Sequence, residues 1–339
     1  MKILSTYWQS TILGILGVVG FSLTLPATRL AVAELDPTFV GLGRAIIAAV
    51  IAAIALVMAR AQRPVGMQWL RLGGTAIGVV IGFPLLSTWA MTTVPATHGA
   101  VVVGLLPLST ALFGAWLAGE RPRLVFWAST IVGSITIAIF SLSSGGGSFQ
   151  TGDYLLLGAV IAAGFGYAEG ARLSRELGAW QTISWALVIS APILLLPAFQ
   201  TMPHHIASVS WQSLCGFAYV GVVSMFLAFV VWYKGLALGG IARIGQLQLL
   251  QPFLTIFAAV LLLHEQVSWA GVLAALIVIA CVVIGRLAGK TSNNTNTDCT
   301  SFSYDITLAP KNSRLSHLVT LHEVHKYDKS NNCPNRKNM

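Results

Sequence analysis

Long apolar runs, separated by short polar segments, occupy the chain as far as residue 288. Each run has about 18–24 residues and as a helix would span roughly 27–36 Å, matching a hydrocarbon core of about 30 Å. Because lipid offers the backbone no hydrogen-bond partners, such runs must be helical. The pattern predicts ten spans, at residues 11–31, 38–59, 69–92, 97–118, 124–142, 154–171, 182–199, 211–233, 241–263 and 267–287.

Composition supports an all-α polytopic membrane protein. Of 339 residues, 55% are hydrophobic and 9% are charged, whereas a soluble domain carries about 25% charged residues. The net charge of +9 does not indicate a nucleic-acid partner, because the basic residues follow the ends of apolar runs and form no patch with aromatic residues. We take the first run as a span, since no small-residue cleavage site precedes Pro26.

Basic residues occur in every second segment between the spans. If the amino terminus is cytoplasmic, the cytoplasmic segments hold Arg60, Arg63, Arg71, Arg121, Arg123, Arg172, Arg175, Lys234, Arg243, Arg286 and Lys290. The opposite segments hold Glu34, Asp36, Asp153, His204, His205 and Glu265, without lysine or arginine. The positive-inside rule therefore predicts that both termini are cytoplasmic, in a plasma membrane of the bacterial inner-membrane type.

An internal repeat is visible in the sequence. Pro107 and Glu120 lie 13 residues apart at the end of the fourth span, and Pro252 and Glu265 have the same spacing at the end of the ninth. The offset between the pairs is 145 residues. Because each copy has five spans, an odd number, the two copies must insert with opposite orientation, which is typical of transporters.

The repeat predicts four regions. Residues 1–142 and 154–288 form the two five-helix copies, and residues 143–153 form an external linker. Residues 289–339 are rich in Asn, Ser, Thr and Lys, and we expect this cytoplasmic tail to be disordered. We interpret its His317, His322 and His325 as solvated residues and predict no metal site.

The chain resembles the ten-helix EamA-type permeases of the drug/metabolite transporter superfamily over roughly residues 10–288. The resemblance is carried by Leu106-Pro107, Gly119-Glu120-Arg121-Pro122, Leu250-Gln251-Pro252, Leu263-His264-Glu265, Arg44 and Lys234-Gly235-Leu236-Ala237. It implies export of amino acids, related metabolites or drugs, and it implies a recurrent, structural arginine at Arg44.

The proline-interrupted spans point to a candidate solute site. Pro107 and Pro252 interrupt matching spans of the two halves, which favours a binding site near the bilayer midplane, although packing kinks are an alternative. Gln248, Gln251 and Thr255 share one face of the ninth span. Their polar groups would either bind solute or link helices by hydrogen bonds.

Aromatic and charged residues add further candidates. Trp89, Tyr167, Trp232 and the adjacent Tyr233 would line a cavity or, as their positions near span ends favour, lie at the bilayer interface. Glu169 is a carboxylate within a predicted span, and Arg172, three residues on, is at pairing distance.

Three other residues are interpreted as structural. Arg44, about two turns into the second span, would snorkel outward or pair with Glu34 or Asp36. Glu120 and Glu265 each precede a helix, where a carboxylate meets the positive end of the helix dipole.

The sequence predicts a secondary transporter of a small-molecule solute, without a cofactor. The glycine cluster at residues 145–147 lacks the Lys-Ser or Lys-Thr of a phosphate-binding loop, so a gradient or exchange would supply the energy. An intramembrane enzyme is the alternative, but the chain has no His-Glu-x-x-His, Gly-x-Ser-x-Gly or paired-aspartate motif. The tail alone suggests a sensor or scaffold. A homodimer is compatible with the sequence.

Overall fold

The computed structural model describes residues 2–118, 124–144, 148–203 and 208–290. The predictions for Glu120, the glycine cluster, His204, His205 and the tail after Lys290 lie outside these residues. The α-helices of the described part are α1 (Lys2–Ser22), α2 (Thr24–Ala31), α3 (Pro37–Met58), α4 (Gln68–Thr75), α5 (Phe83–Thr93), α6 (Ala96–Val103), α7 (Leu106–Ala118), α8 (Leu124–Ser144), α9 (Thr151–Leu177), α10 (Ala179–Gln200), α11 (Trp211–Ala218), α12 (Ala228–Gly239), α13 (Ile241–Gly245), α14 (Gln251–Leu263) and α15 (Trp269–Lys290).

Three further helical segments join some of these helices end to end. A first π segment, Ala76–Gly82, connects α4 to α5, and a second π segment, Tyr219–Leu227, connects α11 to α12. A 3-10 segment, Gln246–Leu250, connects α13 to α14. These joints make continuous rods out of short helices, so the number of membrane spans is smaller than the number of helices.

Within the described residues, eight helical runs are long and apolar enough to cross a membrane. They are Thr6–Ala31, Pro37–Met58, Gln68–Thr93, Ala96–Leu117, Thr151–Leu177, Ala179–Gln200, Trp211–Gly239 and Arg243–Leu263. Two shorter apolar helices, Trp127–Ser143 and Trp269–Cys281, lie where the sequence predicts the fifth and tenth spans. The chain is thus an all-helical polytopic membrane protein over its described part.

Local sequence signals explain where several helices begin and end. Asp36 starts α3, because its Oδ1 accepts hydrogen bonds from the backbone N–H groups of Thr38 and Phe39 at 2.8 and 3.1 Å. Gly178 and Gly240 end α9 and α12 with φ of 94° and 86°, a conformation that glycine adopts without strain. The next helix begins at the following residue in both cases, so these two connections are very tight.

The two halves of the described chain share helix lengths and offsets. Helices α7 and α14 have 13 residues each and begin 145 residues apart. Each π segment leads into a helix, α5 or α12, and these two helices also begin 145 residues apart. Helices α3 and α10 have 22 residues each. The offset found in the sequence therefore recurs in the positions of the helix breaks.

The helices pack mainly across the two halves. Helix α3 packs against α10, α8 against α15, α1 against α12, and α9 against α5 and the first π segment. Gly166 of α9 makes the last contact close, since a Cβ at this position would lie only 2.6 Å from Cγ1 of Val79. This close approach brings the backbone of α9 against the first π segment.

Connecting segments meet others that the sequence places on the same side of the membrane. The carboxylate of Glu34 accepts a hydrogen bond from the backbone N–H of Ser210 at 2.8 Å, and both residues are predicted to be external. The indole of Trp185 donates to the carbonyl of Gln62 at 3.2 Å, and both lie toward the predicted cytoplasmic side. The contacts are thus compatible with the predicted alternation of the loops.

Candidate functional site

A narrow internal cavity lies where the interrupted helices of both halves meet. Its volume of about 10 Å³ leaves room for about one water molecule. We call it the central cavity. Its lining residues come from α1, α2, α3, the first π segment, α5, α9, the second π segment, α12 and α14: Phe21, Thr24, Arg44, Val79, Phe83, Pro84, Tyr167, Ser224, Met225, Phe229 and Gln251.

Broken helices surround this cavity. The first span is interrupted at Leu23, between α1 and α2, and both π segments contribute lining residues, Val79 from the first, Ser224 and Met225 from the second. Irregular backbone at membrane depth is tolerated where it is buried in protein or lines a cavity, and π-bulges are frequent at functional sites. The position of the breaks therefore marks this cavity as a candidate site.

Arg44 is the cation of the central cavity, and the sequence did not predict this. Neither outward snorkelling nor pairing with Glu34 or Asp36 occurs: the side chain is 1% exposed, and its Nη2 donates to Oγ of Ser87 at 3.3 Å. Its Nε has no hydrogen-bond partner. Asp36 instead caps α3, and Glu34 binds Ser210. The depth of Arg44, two turns inside an apolar helix, was the available signal.

An aromatic cluster forms one wall of the cavity. The ring of Phe21 lies 5.0 Å from Phe229, 6.1 Å from Tyr167 and 6.1 Å from Trp232, measured between ring centroids. Tyr167 and Trp232 are buried, as is Tyr233, whose hydroxyl donates to the carbonyl of Gly166 at 3.0 Å. The bilayer-interface interpretation therefore does not apply to these three residues, because neighbouring helices cover them.

Trp89 lies apart from this cluster. It is 37% exposed, and its Nε1 donates to Oγ1 of Thr38 at 3.3 Å, near the predicted external ends of two spans. It does not line the central cavity. The structure thus separates Trp89 from the other aromatic candidates.

The polar stripe of the ninth span divides into three environments. Gln251 lines the central cavity, and its Oε1 has no hydrogen-bond partner. Thr255 donates through Oγ1 to the carbonyl of Ser22 at 2.8 Å, which links this span to the first. Gln248 is buried, and neither side-chain polar atom has a partner. Only Gln251 of the three faces the cavity.

Pro107 and Pro252 are both second residues of their helices, α7 and α14. A proline in the first turn removes no helical hydrogen bond, so each follows a break and starts the next helix without strain. A Cβ built on Gly104, which precedes α7, would lie 3.4 Å from Cγ of Pro252. The two interrupted spans therefore meet at their breaks.

Glu169 belongs to a separate group of charges, the inner charge cluster, formed by Arg71, Glu169, Arg172 and Glu176. The predicted pair with Arg172 is present at 3.1 Å, and Arg71 Nε lies 3.4 Å from the other oxygen of Glu169. Arg71 also contacts Glu176 at 2.6 Å. The cluster joins α4 to α9 and does not line the central cavity.

Glu265 caps a helix of the other half. The sequence predicts a cap on the following helix, but the two carboxylate oxygens accept hydrogen bonds from the backbone N–H groups of Ala96 and Thr97, both at 2.9 Å. These groups begin α6, where the helix dipole also favours a negative charge. The chain fold, and not the sequence neighbourhood, determines which helix this carboxylate stabilises.

A second pocket lies beside this cap. It has a volume of about 220 Å³, and its lining includes His98, Phe140, Gln150 and Gln266. His98 Nε2 lies 2.6 Å from Oδ1 of buried Asp153, and the His98 ring stacks against Phe140 at 4.9 Å. We missed His98 in the sequence. The polar histidine in an apolar run, opposite an acidic residue at the start of α9, was the available signal.

Comparison with known proteins places the chain in a family. The model of the EamA-like transporter family matches twice, at residues 8–142 and 150–285. The "Uncharacterized transporter YdeK" of Bacillus subtilis is 49% identical over 277 residues, which cover 82% of this chain and 96% of that protein.

Two more distant similarities agree with this result. A "Probable terminal-alkyne amino-acid exporter" of Streptantibioticus cattleyicolor is 23% identical over 68% of this chain and 76% of its own length. A solved crystal structure superposes with a TM-score of 0.62 at 18% identity, covering 83% of this chain and 98% of that one, which shows a shared fold. The chain belongs to the EamA-like transporter family and is an integral membrane protein that handles a small-molecule solute within the lipid bilayer.

Proposed function

We propose that the protein is a secondary transporter that exports amino acids or related small metabolites by alternating access. The central cavity carries this proposal, because a buried cation, an unpaired amide oxygen and aromatic rings converge where several helices are interrupted. With room for about one water molecule, the cavity must widen before a solute enters.

We further propose ten spans arranged as two inverted five-helix halves, residues 1–142 and 154–288, joined by an external linker at 143–153. Matching helix lengths, the recurring offset of 145 residues and the double match to the family model support this arrangement. Inverted halves can rock against each other and open a shared midplane site to either side. In this division of the sequence, residues 289–339 belong to neither half.

Amino acids are the proposed solute class, and export is the proposed direction. The exporter name of the Streptantibioticus relative supports both at 23% identity. The alternation of arginines supports cytoplasmic termini in a bacterial inner membrane. The energy would come from a gradient or from exchange.

A counterflow screen in proteoliposomes tests the transport proposal. Purified protein should accelerate accumulation of labelled amino acids against unlabelled internal solute, and the recovered solute should be chemically unchanged. Recovery of a modified product would instead support the alternative, an intramembrane enzyme. No counterflow with amino acids, metabolites or drugs would contradict the proposal.

Cysteine accessibility tests the orientation. In a background without the four native cysteines, a cysteine at Gln62 or Ser174 should be shielded from an impermeant thiol reagent in intact cells. A cysteine at Gly146 or Ser208 should react. Reaction at Gln62 in sealed cells would overturn the proposed orientation.

A further inference from the structure

Arg44 is a buried cation without an anionic partner. Within the described residues, the ion pairs connect Arg71 and Arg172 to glutamates, His98 contacts Asp153, and none of these contacts includes Arg44. A guanidinium remains charged under all physiological conditions, and a buried charge is strongly destabilising unless it is paired. The protein therefore keeps an uncompensated positive charge inside the bundle.

Arg44 also retains unused hydrogen-bonding capacity. Its observed hydrogen bond goes to the Ser87 hydroxyl, and its Nε has no partner. Guanidinium groups bind carboxylates through two parallel N–H···O bonds, which are short and strong because both groups are charged. An incoming carboxylate would supply both the missing charge and the missing acceptor.

A second arginine, also without a carboxylate partner among the described residues, differs from Arg44 in its hydrogen bonds. Arg29, in α2, donates through Nη1 to the carbonyls of Met91 and Val94 at the end of α5. It links two helices and does not line the cavity. Arg29 thus has carbonyl acceptors within the protein, whereas Nε of Arg44 has none.

The two halves differ at this point. With the 145-residue offset that relates the two halves, Arg44 corresponds to Ile189 of α10. The cavity therefore receives its cation from the first half. The second half contributes Gln251, whose unpaired Oε1 is an acceptor suited to an ammonium group.

We propose that Arg44 binds the carboxylate of the transported solute and that the amide oxygen of Gln251 accepts a hydrogen bond from its ammonium group. The inference rests on the proposed transport function, but it concerns recognition and is testable by binding alone. It makes the negative charge of the carboxylate the feature that the site requires. An amino acid whose carboxylate is converted to an amide would lose this interaction.

Equilibrium binding to purified full-length protein tests this proposal. The probes are L-amino acids and the matching amino-acid amides, measured by protection against thermal unfolding and by titration. Wild-type protein should bind the best carboxylate probe about 10–100-fold more tightly than its amide. Arg44→Gln should abolish this preference, and Arg44→Lys should restore part of it.

Arg29→Gln is the matched control, since it removes the same charge at a site outside the cavity. It should lower thermal stability and keep the carboxylate preference. Arg44→Gln should fold, because it removes an unpaired buried charge.

Three results would overturn the proposal: equal binding of acid and amide by wild-type protein, a preference that survives in Arg44→Gln, or no binding of any carboxylate probe. Equal protection against thermal unfolding by sodium chloride would also overturn the proposal, because Arg44 would then bind an inorganic anion. If carboxylate binding depends on Arg44 but no counterflow occurs, only the transport function fails.

Discussion

The central cavity and the inner charge cluster both hold charge within helical spans, but they balance it differently. In the inner charge cluster two arginines face two glutamates, with separations of 2.6–3.4 Å. In the central cavity Arg44 donates to a serine hydroxyl and has no carboxylate partner among the residues that the structure describes. The first arrangement is electrically complete, and the second lacks an anion.

This difference separates structural charges from those available to a ligand. A paired charge links helices, and its removal leaves its partner without compensation. An unpaired buried charge lowers stability, and the proposed solute carboxylate would compensate it. Substitutions that make one region resemble the other, or that remove its distinguishing group, test this distinction.

The largest effect should follow from giving Arg44 an internal partner. In Ser87→Asp the new carboxylate would lie beside the guanidinium and compete with the solute carboxylate for it. We expect carboxylate binding to weaken by about 10-fold or more, with thermal stability kept or raised, because the charge becomes paired. Titration with amino acids and a melting curve on the same sample would measure both quantities.

Thr88→Asp provides the control for this change. Thr88 is also buried, but its hydroxyl donates to the carbonyl of Pro84 at 2.6 Å and makes no hydrogen bond with Arg44. A carboxylate there would be buried without a partner and should lower stability by about 3–5 kcal/mol. Unchanged amino-acid binding in Ser87→Asp would contradict the assignment of Arg44.

The next effect concerns the inner charge cluster. Glu169→Gln removes the carboxylate shared by Arg71 and Arg172 and should lower the free energy of unfolding by about 1–2 kcal/mol, since both arginines are partly exposed. The preference for acids over amides should not change. Glu176→Gln, at a more exposed carboxylate, should cost about 0–1 kcal/mol.

Transport assays on these two variants would sharpen the comparison. A Glu169→Gln protein with unchanged stability but abolished transport would show that Glu169 takes part in proton or solute movement. In that case the inner charge cluster could not be regarded as purely structural.

A smaller effect is expected at the polar stripe. Gln251→Leu should weaken amino-acid binding about 10-fold, the lower end of the range for a hydrogen bond to a charged group, with stability nearly unchanged, because its Oε1 has no protein partner. Thr255→Val should instead lower stability and leave amino-acid binding unchanged, since it removes the hydrogen bond to Ser22. Leu106→Gln adds an amide at the matching position of the first half and should not improve binding. Normal affinity with a lowered melting point in Gln251→Leu would identify its amide as a packing group.

The smallest effect is expected for the pH dependence of stability that arises from the external contact between Glu34 and Ser210. Hydrogen bonds from the Ser210 side chain and backbone lower the pKa of Glu34 below its ordinary value of 4.5. The contact therefore stabilises the fold at neutral pH, and this contribution disappears as the pH falls through the lowered pKa of Glu34. Melting temperatures of the wild type and Glu34→Gln should converge in acid. A difference in melting temperature that stays constant as the pH falls through the pKa of Glu34 would contradict the stabilising role of this contact.

Much of the architecture follows from the sequence alone. Apolar runs of membrane length must become helices, because lipid cannot satisfy an exposed backbone. The prolines at 107 and 252 mark real breaks, since proline begins a helix but cannot continue one without loss of a hydrogen bond. The pair of Glu169 with Arg172 was predictable because three residues along a helix bring side chains together.

The partners of residues far apart in sequence were decided by the tertiary structure. Arg44 is buried beside Ser87, Glu265 caps α6, and Tyr167 contacts Trp232, and each contact joins different spans. Periodicity shows which residues share a helix face, but it does not show which helix that face meets. The same arginine could reach the interface or lie in a cavity, depending on the neighbouring helices. The sequence therefore determined the apolar helices and the breaks at the two prolines, and the packing of the two halves decided which polar groups converge in the central cavity.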